Sequence, residues 1–418
     1  MNLLYFTTAY EPGIFGNRVH EEFLDRMRAY GYTPRVLVPD QQARGSQRLR
    51  ITAGDVPVVR AAVSNTRLAR AQNRLAGPIF HYDQFLTTLA AYRAYLRAHP
   101  AVDIVHVESM YPLGALAALA GGPPYIPTIR GGDLIADDAI GYGFARYRSV
   151  RLLLRIGFRR AAAVRAVSPG ARAMAIEYGC DPAKIVTVPR NIRDDCFIDQ
   201  LPAFRATSRA AIDARHGTAG QQLLVSAGRL LPVKGFDDLA RALPALLARV
   251  PDARVLVLGP NRDDSRLGDY AAYLNRLAAA LGVAERFTLV GHIAPAGMAE
   301  YLAAADAVAV PSLIEGGNKI LVEGAALGTP FVATETAGTV GFFDTAQALV
   351  VPPRDPAALA AALGELLADP QQRAARGAAC VATRDRFRAA AVARAMDTVY
   401  RDAVAQHASS ALAPGARR

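Results

Sequence analysis

Two stretches of the 418-residue chain combine residue types able to handle a charged, oxygen-rich ligand. The first is Gly228-Arg229-Leu230-Leu231-Pro232-Val233-Lys234-Gly235, directly after a strand expected over Leu223–Ala227. A guanidinium and an ammonium on one short loop can grip a diphosphate from two sides and offset charge that grows as a bond to it breaks. A solvated basic loop is the plainer reading. Lysine is scarce here: of 48 basic residues only Lys184, Lys234 and Lys319 are lysines. Lysine offers a compact point charge that arginine does not match. Two of the three fall in these stretches, which argues for the ammonium itself.

The second stretch is Pro311-Ser312-Leu313-Ile314-Glu315-Gly316-Gly317-Asn318-Lys319-Ile320-Leu321-Val322-Glu323-Gly324-Ala325-Ala326-Leu327-Gly328-Thr329-Pro330, between strands expected at Ala307–Val310 and Phe331–Thr334. Gly316 and Gly317 permit close backbone approach to a ligand. Asn318–Leu327 reads as a helix whose first free N–H groups form an anion site, with Gly328 as its C-terminal stop. Glu315 precedes the helix and Glu323 lies about two turns along it. Apolar neighbours put Glu323 in a partly dry place, and a buried carboxylate needs partners. A surface glutamate on an alanine-rich helix is the alternative.

The elements around these stretches alternate. Strands are expected at Leu3–Thr7, Arg35–Val38, Asp103–Val107, Tyr125–Ile129, Ala161–Val167 and Ile185–Val188, with helical spacing over Arg18–Tyr30 and a helix start at Ser168-Pro169. The pattern restarts with Leu223–Ala227, Arg254–Leu258, Phe287–Val290, Ala307–Val310, Phe331–Thr334 and Ala348–Val351, and helices follow at Ala357–Leu367 and near Arg384–Ala405. Strands alternating with helices imply parallel sheets covered on both faces. The expected division is residues 1–200 and 201–384, a helix over 385–407 returning to the first domain, and a disordered tail over 408–418. The polar stretch Gln200–Gly220 is read as the connection. Ligands in such folds bind beyond the carboxyl ends of strands.

Taken together, Arg229, Lys234-Gly235, Glu315-x7-Glu323 and Ala-Leu-Gly-Thr-Pro resemble the family 4 retaining glycosyltransferases (glycosyl transferases group 1) in order and spacing from Leu223 to Val351. The resemblance implies an α/β GT-B architecture: two Rossmann-like, doubly wound parallel-sheet domains facing across a cleft. It implies transfer of a sugar from a UDP- or GDP-sugar donor with retention of configuration and no metal or other cofactor. By the same resemblance Arg229 and Lys234 hold the donor diphosphate, Glu315 lies under the transferred sugar and Glu323 binds the ribose. Gly228 and the backbone at Gly317, Asn318, Lys319 and Ile320 contact sugar or phosphate, and His292 and Ile293 fall in the base-binding segment. Gly13 and Gly16 correspond to the family's N-terminal glycine loop, here without adjacent glycines. Where the family often carries His-Gly, this chain has Arg130-Gly131-Gly132-Asp133. On the acceptor side the candidates are Glu108, Arg130, Gly131 and Asp133, with a helix N-cap as the other reading of Asp133. The acceptor would be a sugar, glycolipid or small molecule, in cell-envelope glycan, glycolipid or natural-product synthesis.

Composition bounds the alternatives. Hydrophobic residues are 52% and charged residues 20% of the chain, a globular balance, and no apolar run reaches a membrane-spanning length. Cys180, Cys196 and Cys380 fit a reducing cytoplasm better than a disulfide framework. The net charge of +11 suits nucleic acid, an anionic membrane or phosphate-bearing substrates alike. No nucleic-acid-binding motif supports the first. Arg148, Arg151, Arg155 and Arg159 share one face of a helix that either packs on a sheet or docks peripherally on anionic lipid. His106 reads as a core histidine on a buried strand. Asp237-Asp238, early in a helix, and Asp263-Asp264, in a loop, lack the setting of a metal site. A GT-B epimerase is the other enzymatic reading.

Overall fold

The computed structural model describes residues 1–8, 10, 18–40, 48–50, 56–138, 141–261, 263–264, 268–336 and 338–412, with backbone alone at 48–50, 263–264, 295 and 410–412. Gly13 and Gly16 lie outside the described residues. The chain forms two compact units, Met1–Asn191 with Ala389–Arg418, and Ile192–Arg388.

The first unit carries strands β1 (Asn2–Phe6), β2 (Thr33–Asp40), β3 (Arg48–Arg50), β4 (Pro57–Ala62), β5 (Ile104–Val107), β6 (Tyr125–Ile129), β7 (Val164–Ala166) and β8 (Ile185–Thr187). Its helices are α1 (Arg18–Ala29), α2 (Arg67–Phe80), α3 (Phe85–Ala98), α4 (Ala115–Ala120), α5 (Arg148–Arg160) and α6 (Pro169–Glu177). The sheet runs β3-β4-β2-β1-β5-β6-β7-β8 and is parallel except at the edge pair β3–β4. Chain order reverses between β1 and β5. Alternate residues feed the two faces: Leu4 and Phe6 join one apolar cluster, Leu3 and Tyr5 the other.

The second unit carries α7 (Leu201–His216), β9 (Gln222–Ala227), α8 (Phe236–Arg249), β10 (Ala253–Leu258), the ribbon β11 (Asp263–Asp264) with β12 (Gly268–Asp269), α9 (Tyr270–Ala280) and β13 (Phe287–Gly291). It continues with α10 (Pro295–Ala304), β14 (Ala307–Val310), α11 (Lys319–Ala326), β15 (Phe331–Thr334), β16 (Ala348–Val351), α12 (Pro356–Ala368) and α13 (Pro370–Ala382). Its main sheet runs β13-β10-β9-β14-β15-β16, parallel throughout, and order reverses between β9 and β14. Leu223 and Val225 face one core, Leu224 the other. Each unit is thus a doubly wound Rossmann-like sheet.

Three expectations need correction. Gln200–Gly220 is mostly the helix α7, on which only Ser208 and Ile212 are buried. It is held by polar contacts instead. Arg205 donates to the Leu327 carbonyl at 2.9 Å and Thr329 Oγ1 at 2.6 Å, and Arg209 pairs with Asp306 at 2.8 Å. Apolar periodicity was therefore too sparse to reveal it. The second is the tail, where helix α14 (Ala389–Leu412) runs on through residue 408 to Leu412. It belongs to the first unit, packing Val392, Met396, Val399 and Tyr400 into the cluster that holds Leu3 and Tyr5. The third is Asp263-Asp264, which pairs in the small antiparallel ribbon.

Met396 is fully buried in that cluster. Met396→Ala is expected to lower the stability of the first unit by about 2–5 kcal/mol. Differential scanning calorimetry would show one transition moving down while that of the second unit holds.

Candidate active site

In the second unit the loops after β9 and β14 meet where the strand order reverses. Pro232–Lys234 forms one short turn, and Gly235 follows at φ +65°. A Cβ on Gly235 would stand 2.0 Å from the Pro311 carbonyl oxygen, so only glycine lets the two loops touch. Leu313 N–H donates to the Val233 carbonyl at 2.9 Å, and Gly338 N–H to the Glu315 carbonyl at 2.7 Å. These bonds fix both loops. The Lys234 methylenes lie over Gly228, and its ammonium donates to Glu315 Oε2 at 2.6 Å. Both side chains are mostly shielded. Arg229 stands exposed on the same loop, anchored beside it by buried Leu230, whose N–H donates to the Pro260 carbonyl at 3.0 Å.

Helix α11 begins at the same place. Asn318 is its N-cap: Oδ1 accepts from Ile320 N–H at 3.0 Å and Leu321 N–H at 3.4 Å. The Ile320 amide is thereby satisfied internally, contrary to its expected place among the ligand-facing amides. Gly317, Asn318 and Lys319 precede the helix's own hydrogen bonding. Gly328, at φ +69°, ends the helix.

Glu323 is buried, its side chain 1% exposed. Its Oε1 takes the Arg193 guanidinium at 3.1 Å and the Lys319 ammonium at 3.2 Å. Arg193, equally buried, also holds Asp195 at 2.8 Å. The expected dry setting for Glu323 is present, and its partner is an arginine from a segment that showed no signal in the sequence. His292 is exposed and Ile293 half-buried just beyond β13, with β10 between β13 and β9.

In the first unit the carboxyl ends of β5 and β6 carry a second polar cluster. His106 is fully buried. Tyr400 OH donates to its Nδ1 at 2.5 Å, which leaves the Nε2 hydrogen to face Glu108 Oε1 at 3.1 Å and Thr128 Oγ1 at 2.9 Å. Arg130, a third exposed, reaches Glu108 Oε2 at 3.2 Å. Burial alone would push the Glu108 carboxyl up, but Arg130 with His20 and His106 holds it well below the usual carboxylate range. Burial lowers the pKa of His106, and that of His20 to about 3. Tyr5 OH meets His20 Nδ1 at 2.5 Å and stacks on His106 at 4.9 Å.

Asp133 does something else. Its Oδ2 accepts from Met110 N–H at 2.6 Å and Tyr111 N–H at 3.4 Å, capping the turn that follows β5. The cap it makes is thus on the turn after β5 and not before Leu134, whose N–H donates to the Gly131 carbonyl. Gly131, at φ +109°, turns the chain between Arg130 and Asp133, and its carbonyl accepts from Leu134 and Ile135. Among the described residues no group of three or more His, Cys, Asp or Glu is arranged to hold a metal. The three cysteines are free and buried.

Two family models match: "Glycosyl transferase 4-like domain" over residues 16–191 and "Glycosyl transferases group 1" over 221–369. A mannosyltransferase of Mycolicibacterium smegmatis, the GDP-mannose-dependent alpha-(1-6)-phosphatidylinositol monomannoside enzyme, is 30% identical over 64% of this chain and 67% of its own. The chain belongs to the group 1, family 4-like glycosyl transferases. The D-inositol 3-phosphate glycosyltransferase of Kineococcus radiotolerans is 36% identical over 56% of this chain. The chain spans about half the length of that relative, 55%, and 50% of the corresponding Segniliparus rotundus protein. In fold the glycosyltransferase is similar to sucrose-phosphate synthase of Thermosynechococcus elongatus, with TM-score 0.75, 19% identity and coverage of 97% and 99% of the two chains. Anabaena HepE, solved with UDP, gives TM-score 0.72 at 16% identity over 96% and 99%. These neighbours share the GT-B fold.

Two measurements probe these clusters. Arg193→Met leaves Glu323 buried with Lys319 alone and is expected to cost the second unit about 3 kcal/mol in a urea titration. For His106, the unfolded chain takes up a proton near pH 6.5 while the buried ring stays neutral, so stability falls as pH drops below that value. His20, buried in the same unit with its pKa lowered to about 3, acts in the same way, so the expected slope is about 2.7 kcal/mol per pH unit in the first unit's unfolding. It should fall by about half in His106→Asn.

Proposed function

We propose that this glycosyltransferase moves a sugar from a nucleotide-diphosphate donor to an acceptor hydroxyl with retention at the anomeric carbon, without a metal. The observation that carries the reading is the 2.6 Å pair of Lys234 and Glu315 at the switch point of the second sheet, beside the amino end of α11. Such a place suits a diphosphate, because an ammonium and the dipole at a helix amino end both favour negative charge. Arg229, exposed on the same loop, would add its charge from the open side, and together these groups supply what a metal otherwise brings.

In the reaction the bond between the anomeric carbon and the diphosphate oxygen breaks, and its electron pair leaves with the nucleotide diphosphate. The acceptor oxygen bonds to the same face of the carbon, and its proton passes to the departing phosphate oxygen. Lys234 offsets the charge gained by the leaving group, while Glu315 keeps the ammonium in place and faces the sugar. Glu323 would serve the ribose while still held by Arg193 and Lys319. His292 and Ile293 are assigned to the base. Gly228, Gly317, Asn318 and Lys319 line the phosphate side.

UDP and GDP are the favoured diphosphates, because HepE was solved with UDP and UDP-glucose and the mycobacterial relative is named for GDP-mannose. The relatives' names also favour an acceptor built on an inositol phosphate or its lipid, within the wider class of sugars and glycolipids. Glu108, Arg130 and Gly131 are assigned to that acceptor, Arg130 as the cation for a phosphate.

A thermal-shift series with UDP, GDP, ADP and dTDP tests the donor assignment, since a ligand bound only by the folded state raises its melting temperature. One diphosphate should stand out, in buffer with chelator. Lys234→Ala should abolish most of that shift and lower kcat/KM by about 100- to 1,000-fold. Full transfer by this variant would sink the assignment.

A further inference from the structure

Helix α2 is a well-formed element that hides almost none of its apolar surface. Thr66 caps its start, accepting from Ala69 N–H at 3.2 Å, and His81 closes its end, donating to the Gly77 carbonyl at 2.7 Å. Of its residues only Ala69 and Ala76 are buried. Its large aliphatic side chains point outward instead: Leu68 is 69%, Leu75 80% and Ile79 56% exposed. The spacings of seven and four residues set all three on one stripe of the helix. Covering each would be favourable in proportion to the apolar area removed from water, so three on one stripe call for an occupant.

The surroundings say which kind. Helix α2 has no acidic residue, and Arg67, Arg70 and Arg74 stand exposed beside the stripe. The same three arginines line a surface cavity of about 750 Å³, in which Asp83 is the one acid. The end of α2 meets the start of α5, where His81 stacks on Tyr147 at 3.4 Å. On α5, Leu152 is 59% exposed and lies among exposed Arg148, Arg151, Arg155 and Arg159. Its buried face, Val150, Leu153, Leu154 and Phe158, packs into the unit's core, so α5 is a surface helix first. The sequence drew attention to α5 alone, yet the aliphatic stripe is on α2.

We propose that α2 docks on an anionic lipid bilayer, its three aliphatics entering the interface while Arg67, Arg70 and Arg74 take headgroup phosphates in the adjoining cavity. An apolar stripe bordered by cations matches such a surface in both chemistry and charge. No helix among the described residues is long and apolar enough to cross a membrane.

The test is co-sedimentation of the full chain with vesicles of phosphatidylglycerol and phosphatidylcholine, against phosphatidylcholine alone. Binding to the mixed vesicles only is expected. Leu75→Asp should weaken it at least about tenfold, and each of Arg67→Gln, Arg70→Gln and Arg74→Gln by roughly fivefold. All four positions are exposed, and unchanged thermal melting would show that the fold is kept. Equal binding to neutral vesicles, no binding to either, or undiminished binding by Leu75→Asp would overturn the proposal. So would a dimer in sedimentation equilibrium that Leu75→Asp dissociates, which would make a second copy the occupant.

Discussion

The second unit depends on one adjacency: β9 and β14 lie side by side while the chain continues from them in opposite directions. Their carboxyl ends therefore open a crevice that no crossover helix fills. Two loops fall into it, and Gly235 lets them approach until its α-carbon lies against the Pro311 carbonyl. That close approach brings Lys234 within 2.6 Å of Glu315, although 81 positions separate them in the chain. Any side chain at position 235 would push the loops apart and separate the pair. The Lys234–Glu315 pair is thus a consequence of strand order plus one glycine.

The first unit uses the same topology to a different end. Its reversal lies between β1 and β5, and the groups at those strand ends are joined to one another. Glu108 is held by His106 and Arg130, and His106 in turn by Tyr400 from α14. A carboxylate so held keeps its charge despite burial, with Oε1 oriented by the His106 hydrogen bond and Oε2 facing the Arg130 charge. The last long helix of the chain therefore fixes a side chain at the centre of the first sheet.

Strands and motifs were legible because their signals are local. Tyr125–Ile129, Ala307–Val310, Phe331–Thr334 and Ala348–Val351 are short apolar runs between turn residues, and they fold as read. The helix over Asn318–Leu327 was equally plain, since Asn318 and Gly328 mark its two ends. What escaped notice acts at a distance. Arg193 lies 130 positions from Glu323 and Tyr400 294 from His106, and nothing near either residue announces its partner. Asp133 misled for the same reason: it looks like the cap of the helix after it, but the amides it satisfies lie more than twenty residues earlier. Helix α7 was missed because polar bonds hold it and β3 because it pairs only at the sheet edge, whereas β4 went unread although Val58 and Val59 pack into the two cores.

The net charge of +11 gains meaning only when the arginines are sorted by what they touch. Arg165 donates to the Val188 carbonyl, Arg172 to that of Ile185, Arg205 to those of Leu327 and Ala305, and Arg384 to that of Ala326. These guanidinium groups tie backbone ends together, and their charge is incidental to any ligand. A guanidinium suits that work because its planar fork satisfies several carbonyls at once. Of the three lysines, Lys184 is itself a strut between the Arg159 and Ala161 carbonyls, while Lys234 and Lys319 each meet a carboxylate. The arginines exposed on α2 and α5 form the other minority, set around side chains that prefer to leave water. Among the described residues, part of the charge thus serves as struts between backbone ends, while Lys234 and Lys319 meet carboxylates at the switch point and the exposed arginines of α2 and α5 border apolar side chains.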